Sequence, residues 1–279
     1  MRRWVALKNR ALAIPHIVWT LVFIVVPICF VLYFAFTDDT GSFTLEWISQ
    51  IGKYWSVFAR SLKLALIATI ICLVVGYPMA YIISRCKWIT QRTLIMLIML
   101  PMWMNFLLRT YAWMTLLEKN GIINNILESI GVFSLLGITE PLKMINTEGA
   151  VVIGMVYNFL PFMIIPLYNI MVKIDQSLIE AAQDLGCNFP KVLRRVLFPL
   201  SIPGIVNGIT MVFVPAASTF VISQKLGGAK NMLIGDLIDI YFMGGEPNFH
   251  IGSMLSLVLM LIILICMAFM NQDQEEVML

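Results

Sequence analysis

Charged side chains are scarce in this sequence. Asp, Glu, Lys and Arg make up 13% of the 279 residues, whereas hydrophobic residues make up 60%. A soluble domain carries about 25% charged residues, and half that density cannot cover a water-facing surface of this size. The formal net charge is only +3, which gives no support to a nucleic-acid-binding surface. The composition therefore argues against a soluble domain and favours a membrane protein.

Motifs that hold metals, disulfides or nucleotides are also missing. His16 has no metal-binding partner nearby, His250 lies at the outer end of the sixth apolar run, and the five cysteines form no CxxC pair, so none of these residues supports a metal site. The cysteines, which we interpret as small core residues, are Cys29, Cys72, Cys86, Cys187 and Cys266. The chain has no G-x-x-x-x-G-K-[ST] phosphate-binding loop, and Gly227-Gly228-Ala229-Lys230 is not one. We therefore expect no cofactor and no catalytic centre in this chain.

Six apolar runs are long enough to cross a bilayer, which takes about 20 residues in a helix. The runs are Ala11–Thr37, Leu64–Ser84, Thr93–Leu117, Gly149–Val172, Val196–Gln224 and Ile251–Met270. Backbone polar groups in lipid must be paired within the segment, so these runs predict helices. The first run is too long for a cleaved signal peptide, and we expect it to be retained. The predicted fold class is an all-α integral membrane protein with about six transmembrane helices.

Lysine and arginine accumulate on the cytoplasmic side of membrane proteins, and their distribution gives an orientation. Eleven of them precede the first run or lie between the second and third or the fourth and fifth, against seven on the other side. We therefore predict that both termini are cytoplasmic. The predicted organisation has a first helix and outer loop in residues 1–60, a five-helix core in residues 61–271, and a tail in residues 272–279. We also expect short helices within the outer loops 38–60 and 118–148.

The predicted cytoplasmic loop between the fourth and fifth runs, at about residues 175–199, has a distinctive pattern. Ser177 and Glu180 match a capping box, and Gly186 stands where a helix ends with positive φ. Asn188 can cap a second helix with Pro190 in its first turn. On the first helix an apolar stripe recurs at helical spacing, and it consists of Leu178, Ala181, Ala182 and Leu185. A short helix with small apolar residues on one face is suited to docking into a groove of another protein.

The same loop resembles the EAA loop of bacterial ABC importer permeases, whose pattern is EAA, three residues, Gly, nine residues and I-x-L-P. The matching residues are Glu180, Ala181, Ala182, Gly186 and Pro199, whereas Val196 and Phe198 replace the usual Ile and Leu. The resemblance implies the type I ABC importer permease fold and a coupling helix that enters a groove of a cytoplasmic ATPase dimer. ATP and Mg²⁺ would then be bound by that partner. The implied ATPase-coupling residues are these five together with Asp184 and Leu185.

Further strings resemble the polyamine (spermidine/putrescine) permeases of this family. They are Pro101–Tyr111, Leu160–Tyr168 and Gly227–Gly235. This resemblance implies a second permease subunit, an external polyamine-binding protein and a bacterial cell-membrane location. An ABC permease for another small solute remains the alternative. A secondary transporter usually carries ionisable groups at mid-membrane, where this sequence offers only Arg109. An intramembrane enzyme would need a nucleophile and base at one depth, which we do not find.

Aromatic and amide side chains can line a low-affinity path for ammonium groups, because aromatic faces attract cations. The candidate path residues are Trp103, Asn105, Tyr111, Trp113, Tyr157 and Asn158. Each also has a structural interpretation, the aromatics as packing or interfacial anchors and the amides as interhelical hydrogen-bond donors and acceptors. For Arg109 we favour a structural role in which it snorkels or pairs with Glu118 or Glu148. Gly204 and Gly208 form a G-x-x-x-G pattern, which we assign to helix packing.

Overall fold

A computed structural model describes residues 14–131, Phe133 and 140–277, with side chains through Phe269. Arg2, Arg3, Lys8 and Arg10, which contribute to the predicted orientation, lie outside the described residues. The helices are α1 (Ile14–Ala35), α2 (Glu46–Ser84), α3 (Trp88–Met99), α4 (Phe106–Leu117), α5 (Ile122–Ser129), α6 (Glu148–Met171), α7 (Gln176–Asp184), α8 (Phe189–Ala217), α9 (Ile234–Met243) and α10 (Phe249–Val277). The described part of the chain is therefore predominantly α-helical, as the sequence predicts.

Five of these helices are long and apolar enough to cross a membrane, namely α1, α2, α6, α8 and α10. The segments Trp88–Trp103 and Phe106–Ser129 pass the same test as a pair and count as a sixth span if they are taken together. The prediction of about six transmembrane helices is confirmed. The bounds follow the apolar runs because lipid requires the backbone to satisfy its own hydrogen bonds within each helix.

The third predicted span is not a continuous helix, so the prediction of one helix over Thr93–Leu117 is wrong. The two segments meet at an angle of 91°. Pro101 lies in a 3₁₀ turn, Leu100–Trp103, and cannot donate a backbone hydrogen bond. Asn105 then begins α4, because its side chain accepts a hydrogen bond from Leu107 N at 2.8 Å. An asparagine cap directly after a proline turn stops one helix and starts another.

Two other predicted boundaries also differ. The fifth span begins at Phe189 and ends at Ala217, not at Gln224. Residues 218–233 contain a π-helical turn, Ser223–Gly227, and a 3₁₀ turn, Ala229–Asn231, before α9. Residues 46–60 of the predicted first outer loop extend the second span and do not form a separate helix. With 39 residues, α2 is about 58 Å long at 1.5 Å per residue, which exceeds the apolar thickness of a bilayer. The predicted second outer loop does contain a short helix, α5, after a turn in which Gly121 N donates to Glu118 O at 2.8 Å.

The larger of two compact units comprises residues 56–236 and 263–277. Its core lies mainly between α2, α6 and α8, and fully buried members include Leu64, Met155, Met163, Leu167 and Leu226. Gly204 and Gly208 of α8 allow this packing. A Cβ at Gly208 would lie 2.6 Å from Met163 Sδ, and one at Gly204 would lie 3.1 Å from Pro166 O. The G-x-x-x-G pattern therefore serves close packing of α8 on α6, as predicted.

The smaller unit comprises residues 14–55 and 237–262. Its hydrophobic core contains Ala35, Met254 and Leu257. His250 is buried in this unit and stacks on Trp47 with ring centroids 5.5 Å apart. His250 Nδ1 lies 2.9 Å from the carbonyl oxygen of Phe34, and Nε2 lies 3.3 Å from Asp39 Oδ1. Within the described residues, no group of three or more His, Cys, Asp or Glu side chains is arranged to hold a metal. The contacts of His250 with ring, carbonyl and carboxylate give it a structural role.

Candidate functional site

The 175–199 segment forms a helix, a glycine corner and a second helix, as its pattern predicts. Gly186 adopts φ +80°, and Cys187 N donates to Ala182 O at 3.0 Å across the corner. This is the Schellman arrangement, in which a left-handed residue satisfies the last carbonyls of a helix. Asn188 caps α8 by accepting a hydrogen bond from Lys191 N at 3.3 Å, with Pro190 in the first turn.

The residue that begins α7 differs from the prediction. Asp175, not Ser177, is the N-cap, and its carboxylate accepts a hydrogen bond from Ser177 N at 3.0 Å. The hydrogen bonds from Ser177 hold the pKa of Asp175 below its usual value. A carboxylate is favoured here because it satisfies an unpaired N–H and also faces the positive end of the helix dipole. The proposed capping box between Ser177 and Glu180 is therefore corrected.

The apolar residues of α7 divide between two faces. Ile179 is 3% exposed and packs with Ile174, Val192 and Leu197, and Ala182 packs partly buried against this cluster. On the opposite side Leu178 is 48% exposed and Leu185 is 86% exposed, and Ala181 lies exposed between them. The predicted stripe is corrected in one respect, since Ala182 faces the protein. Glu180, Asp184 and Pro199 are exposed.

Arg85, just beyond α2, fixes the approach to α7 and was counted in the sequence only as an orientation charge. Its guanidinium donates to the carbonyls of Ile174 at 3.2 Å and Met171 at 3.3 Å, and to Gln176 Oε1 at 3.3 Å. A cation near the C-terminus of a helix satisfies carbonyls that the helix leaves unpaired. Arg85 therefore ties the end of α2 to the link between α6 and α7. No local pattern could reveal it, because its partners are almost 90 residues away.

The candidate path residues are brought together only in part. Trp113 and Tyr157 form an edge-to-face pair with ring centroids 5.3 Å apart. Asn158 is buried and donates to Gly154 O at 2.8 Å, while its Oδ1 has no hydrogen-bond partner. Asn105 serves as the cap of α4, and the side chain of Trp103 is largely exposed. Tyr111 lies under the ammonium group of Lys225, which is 5.3 Å from the ring centroid.

Arg109 is 8% exposed, and its guanidinium lies 5.7 Å from the centroid of the Phe106 ring. The expected pairing with Glu148 is not formed, because Glu148 Oε2 binds Lys63 Nζ at 2.7 Å and Oε1 lies 3.9 Å from Arg60. Its position within packed residues agrees with a structural role.

A buried hydrogen-bond cluster secures the 218–236 segment, whose first part was predicted to belong to the fifth span and whose remainder was predicted to lie in an outer loop. Asp236 is fully buried; its carboxylate accepts hydrogen bonds from Ser223 Oγ at 2.9 Å and Leu233 N at 2.6 Å. Ser61 Oγ of α2 accepts from Ile234 N at 2.8 Å. A buried carboxylate is tolerated when such donors surround it. The signal for this cluster was weak, because Asp236 at the start of α9 reads as an ordinary solvated acid.

Comparison with known proteins defines the class of protein to which this architecture belongs. Residues 72–273 match the family described as binding-protein-dependent transport system inner membrane component. The match covers more than half of the chain, and the protein belongs to this family of multi-pass membrane permeases. It is a transport subunit.

Individual relatives cover most of the chain. The spermidine/putrescine transport system permease protein PotB of Haemophilus influenzae is 38% identical over 247 residues, which cover 86% of this chain and 84% of the relative. PotB of Escherichia coli K12 is 37% identical over 233 residues, covering 81% and 83%. In three dimensions, a bacterial ABC transporter involved in import of the acidic polysaccharide alginate matches with a TM-score of 0.75 at 17% identity over 99% of both chains. This likeness shows a shared fold, and the predicted ABC importer permease fold is confirmed.

Proposed function

We propose that this chain is the permease subunit of an ATP-driven importer of polyamines such as spermidine and putrescine. The observation that carries the substrate class is the 37–38% identity to PotB permeases over more than four-fifths of both chains. The sequence adds only aromatic and amide groups on the candidate path. These groups can accept ammonium ions without binding them tightly. High selectivity then rests with an external binding protein.

The partners follow from the family and from the shape of the 175–199 segment. A cytoplasmic ATPase dimer binds ATP and Mg²⁺ and closes on nucleotide. The exposed face formed by Leu178, Ala181 and Leu185 docks on this ATPase, and Glu180 and Asp184 lie beside that face. A PotC-like sister permease completes the membrane part, and both termini of this chain are cytoplasmic.

The mechanism proposed is alternating access. The loaded binding protein docks outside, and closure of the ATPase dimer displaces α7. Arg85 and the cluster around Ile179 connect α7 to α2 and α8, so its displacement moves helices of the core. The substrate then passes the Tyr111, Trp113 and Tyr157 region as the path opens inward.

Uptake of labelled spermidine and putrescine tests the substrate class. Cells that lack this chain are compared with cells that re-express it, with other solutes as competitors. Restored uptake that only polyamines inhibit supports the proposal. Unchanged uptake, with the protein and its partners present in the membrane, overturns the polyamine assignment and leaves the family assignment standing.

Co-purification with the ATPase tests the docking face. Leu185→Asp places a charge on the exposed apolar face and should reduce recovery of the ATPase at least tenfold. Gln183→Asp, an exposed position on the same helix, is the matched control and should leave recovery unchanged. Equal recovery for both variants contradicts docking through this face.

A further inference from the structure

The contact between Lys225 and Tyr111 joins a cation to an aromatic ring without an acidic partner. Lys225 Nζ lies 5.3 Å from the centroid of the ring, and the Tyr111 side chain is 41% exposed. The ion pairs recorded among the described residues use Arg60, Lys63, Lys119 and His250. Lys225 is absent from these pairs, so the ring face is the principal electrostatic contact of its ammonium group.

The backbone at Lys225 is held in a packed turn, whereas its side chain is a flexible four-carbon chain. Lys225 lies in a π-helical turn, Ser223–Gly227, between the fully buried side chains of Ile222 and Leu226. Asn231 Nδ2 donates to Gly227 O at 2.9 Å, which fixes the end of the turn. The lysine side chain is half-buried, and rotation about its flexible carbon chain carries the ammonium on or off the ring.

The chemistry of this side chain matches that of the proposed substrate. Lysine carries a primary ammonium at the end of four methylene groups, and putrescine carries two primary ammonium groups joined by four methylenes. The contact therefore displays how an alkylammonium group lies on Tyr111. Trp113, two residues along α4, points to another side of the helix, where it pairs with Tyr157 at 5.3 Å, so the ring under the ammonium group is that of Tyr111 alone. Cations bound over such rings are stabilised whether they belong to the protein or to a ligand.

We infer that the Tyr111 ring is a binding site for a primary alkylammonium group and that Lys225 is a tethered competitor which occupies it in the absence of substrate. This inference rests on the proposed function, since it assigns one contact of the transported amine. The substrate must displace the Lys225 ammonium to reach the ring. Because the competitor is attached beside the site, it acts at a high effective concentration and keeps the affinity of the site low. A low affinity favours release, which a transport path requires.

Equilibrium binding of labelled putrescine to the reconstituted permease complex in nanodiscs, without the binding protein, tests the inference. Lys225→Met removes the ammonium and keeps an unbranched side chain. We expect the Kd to decrease about fivefold, which corresponds to about 1 kcal/mol. Lys230→Met is the matched control, because Lys230 lies in the same segment and has no aromatic contact recorded among the described residues; its Kd should equal that of the wild type.

Substitutions at Tyr111 separate the site from a general effect on folding. In the Lys225→Met background, Tyr111→Leu should abolish the gain and Tyr111→Phe should preserve it. Butylamine should compete for the site, and butyrate should not. A Kd in Lys225→Met that equals the wild-type value, a gain that survives Tyr111→Leu, or no detectable binding to Lys225→Met would each overturn the inference. Such a result together with normal polyamine uptake by the wild type leaves the proposed function intact, whereas absent uptake by the wild type removes both.

Discussion

The 175–199 and 218–236 segments differ in how far their side chains are exposed. In the first, Leu185 is 86% exposed and the helix α7 rests on a small cluster beneath Ile179. In the second, Asp236, Ser223, Leu226 and Leu233 are fully buried. One segment presents a surface that the chain itself does not cover, and the other is completed within the chain. We therefore expect substitutions at exposed positions of 175–199 to change coupling and those at buried positions of 218–236 to change stability.

The largest effect is expected for Asp236→Ala. The substitution leaves Leu233 N without its buried acceptor, which costs about 1–3 kcal/mol. Ser223 Oγ loses its hydrogen bond to the carboxylate but keeps the carbonyl oxygen of Phe220 as a partner at 2.9 Å. The free energy of unfolding should therefore decrease by about 3 kcal/mol. Thermal unfolding of the purified protein in detergent measures the change. Glu246→Ala, at an exposed position, is the control. Equal melting temperatures for the two variants would show that the buried cluster is not stabilising.

Next in size is Gly186→Val. A Cβ at Gly186 meets no atom within 4 Å, so the cost arises from φ +80°, which β-branched residues rarely adopt. We expect polyamine uptake to decrease about tenfold, because about 1–2 kcal/mol of backbone strain shifts the corner away from its docking geometry. Gly186→Asn tolerates positive φ and should retain more than half of the uptake. Gly245→Val, also in open space, should have no effect. The prediction fails if Val and Asn are equivalent at position 186 with normal membrane levels.

Arg85→Gln should have an intermediate effect. It removes the donors to the carbonyls of Met171 and Ile174, so α7 is less firmly attached to α2. We expect uptake to decrease about threefold, because α7 is held less firmly. The melting temperature should also decrease, since a hydrogen bond to a charged group contributes about 1.5–3 kcal/mol, and uptake is therefore compared at equal amounts of folded protein. The ratio of transport to ATP hydrolysis in proteoliposomes checks whether coupling is lost. Arg92→Gln, whose recorded contact is with the Trp88 ring, is the control. A matching decrease in Arg92→Gln would point to a general charge effect.

The smallest effect concerns the Asp175 cap. Its pKa is lowered in the folded protein, so its contribution to stability is complete above the unfolded value of 3.8 and is lost as pH falls through the lowered value. Uptake should therefore show no Asp175-dependent change between pH 6 and 8. Asp175→Asn, which keeps an acceptor at the cap, should change uptake less than twofold at pH 7. A steep difference between the two proteins within this pH range would contradict the assignment of Asp175 as a simple cap.

Local chemistry explains which features could be predicted from the sequence. Gly186 and Asn188 were predictable because a helix end and a helix start each depend on one residue and its immediate neighbours. The spans were predictable because each depends on one continuous apolar stretch of the sequence. The cap at Asp175 was missed because two capping residues stand two positions apart and compete. The break after Pro101 was missed because a proline in an apolar run also permits a mere kink, and the decisive residue is Asn105.

Other features depend on residues far apart in the chain. The burial of Asp236 requires Ser223, and the site of α9 requires Ser61 of α2. The contact of Lys225 with Tyr111 likewise joins residues more than 100 positions apart. From the sequence alone, such charged residues are interpreted as solvated or are counted for membrane orientation. Their contacts within the protein are visible only in the folded structure. The structure shows where the predicted coupling residues lie, and their role in coupling stays a prediction that the experiments above test.

One unbroken helix joins the two contrasting segments. Ser61, fifteen residues after the start of α2, accepts a hydrogen bond from the first residue of α9, and just past the end of α2 Arg85 holds the approach to α7. The helical stretch from Ser61 to Ser84 is about 35 Å long at 1.5 Å per residue. If this stretch moves as a rigid body, a tilt of about 10° around its midpoint displaces its two ends by about 3 Å in opposite directions. A displacement of α7 at the Arg85 end of the helix is thus linked to a displacement of α9 at Ser61. A helix that bent at Pro78 would transmit less of this movement from one end to the other.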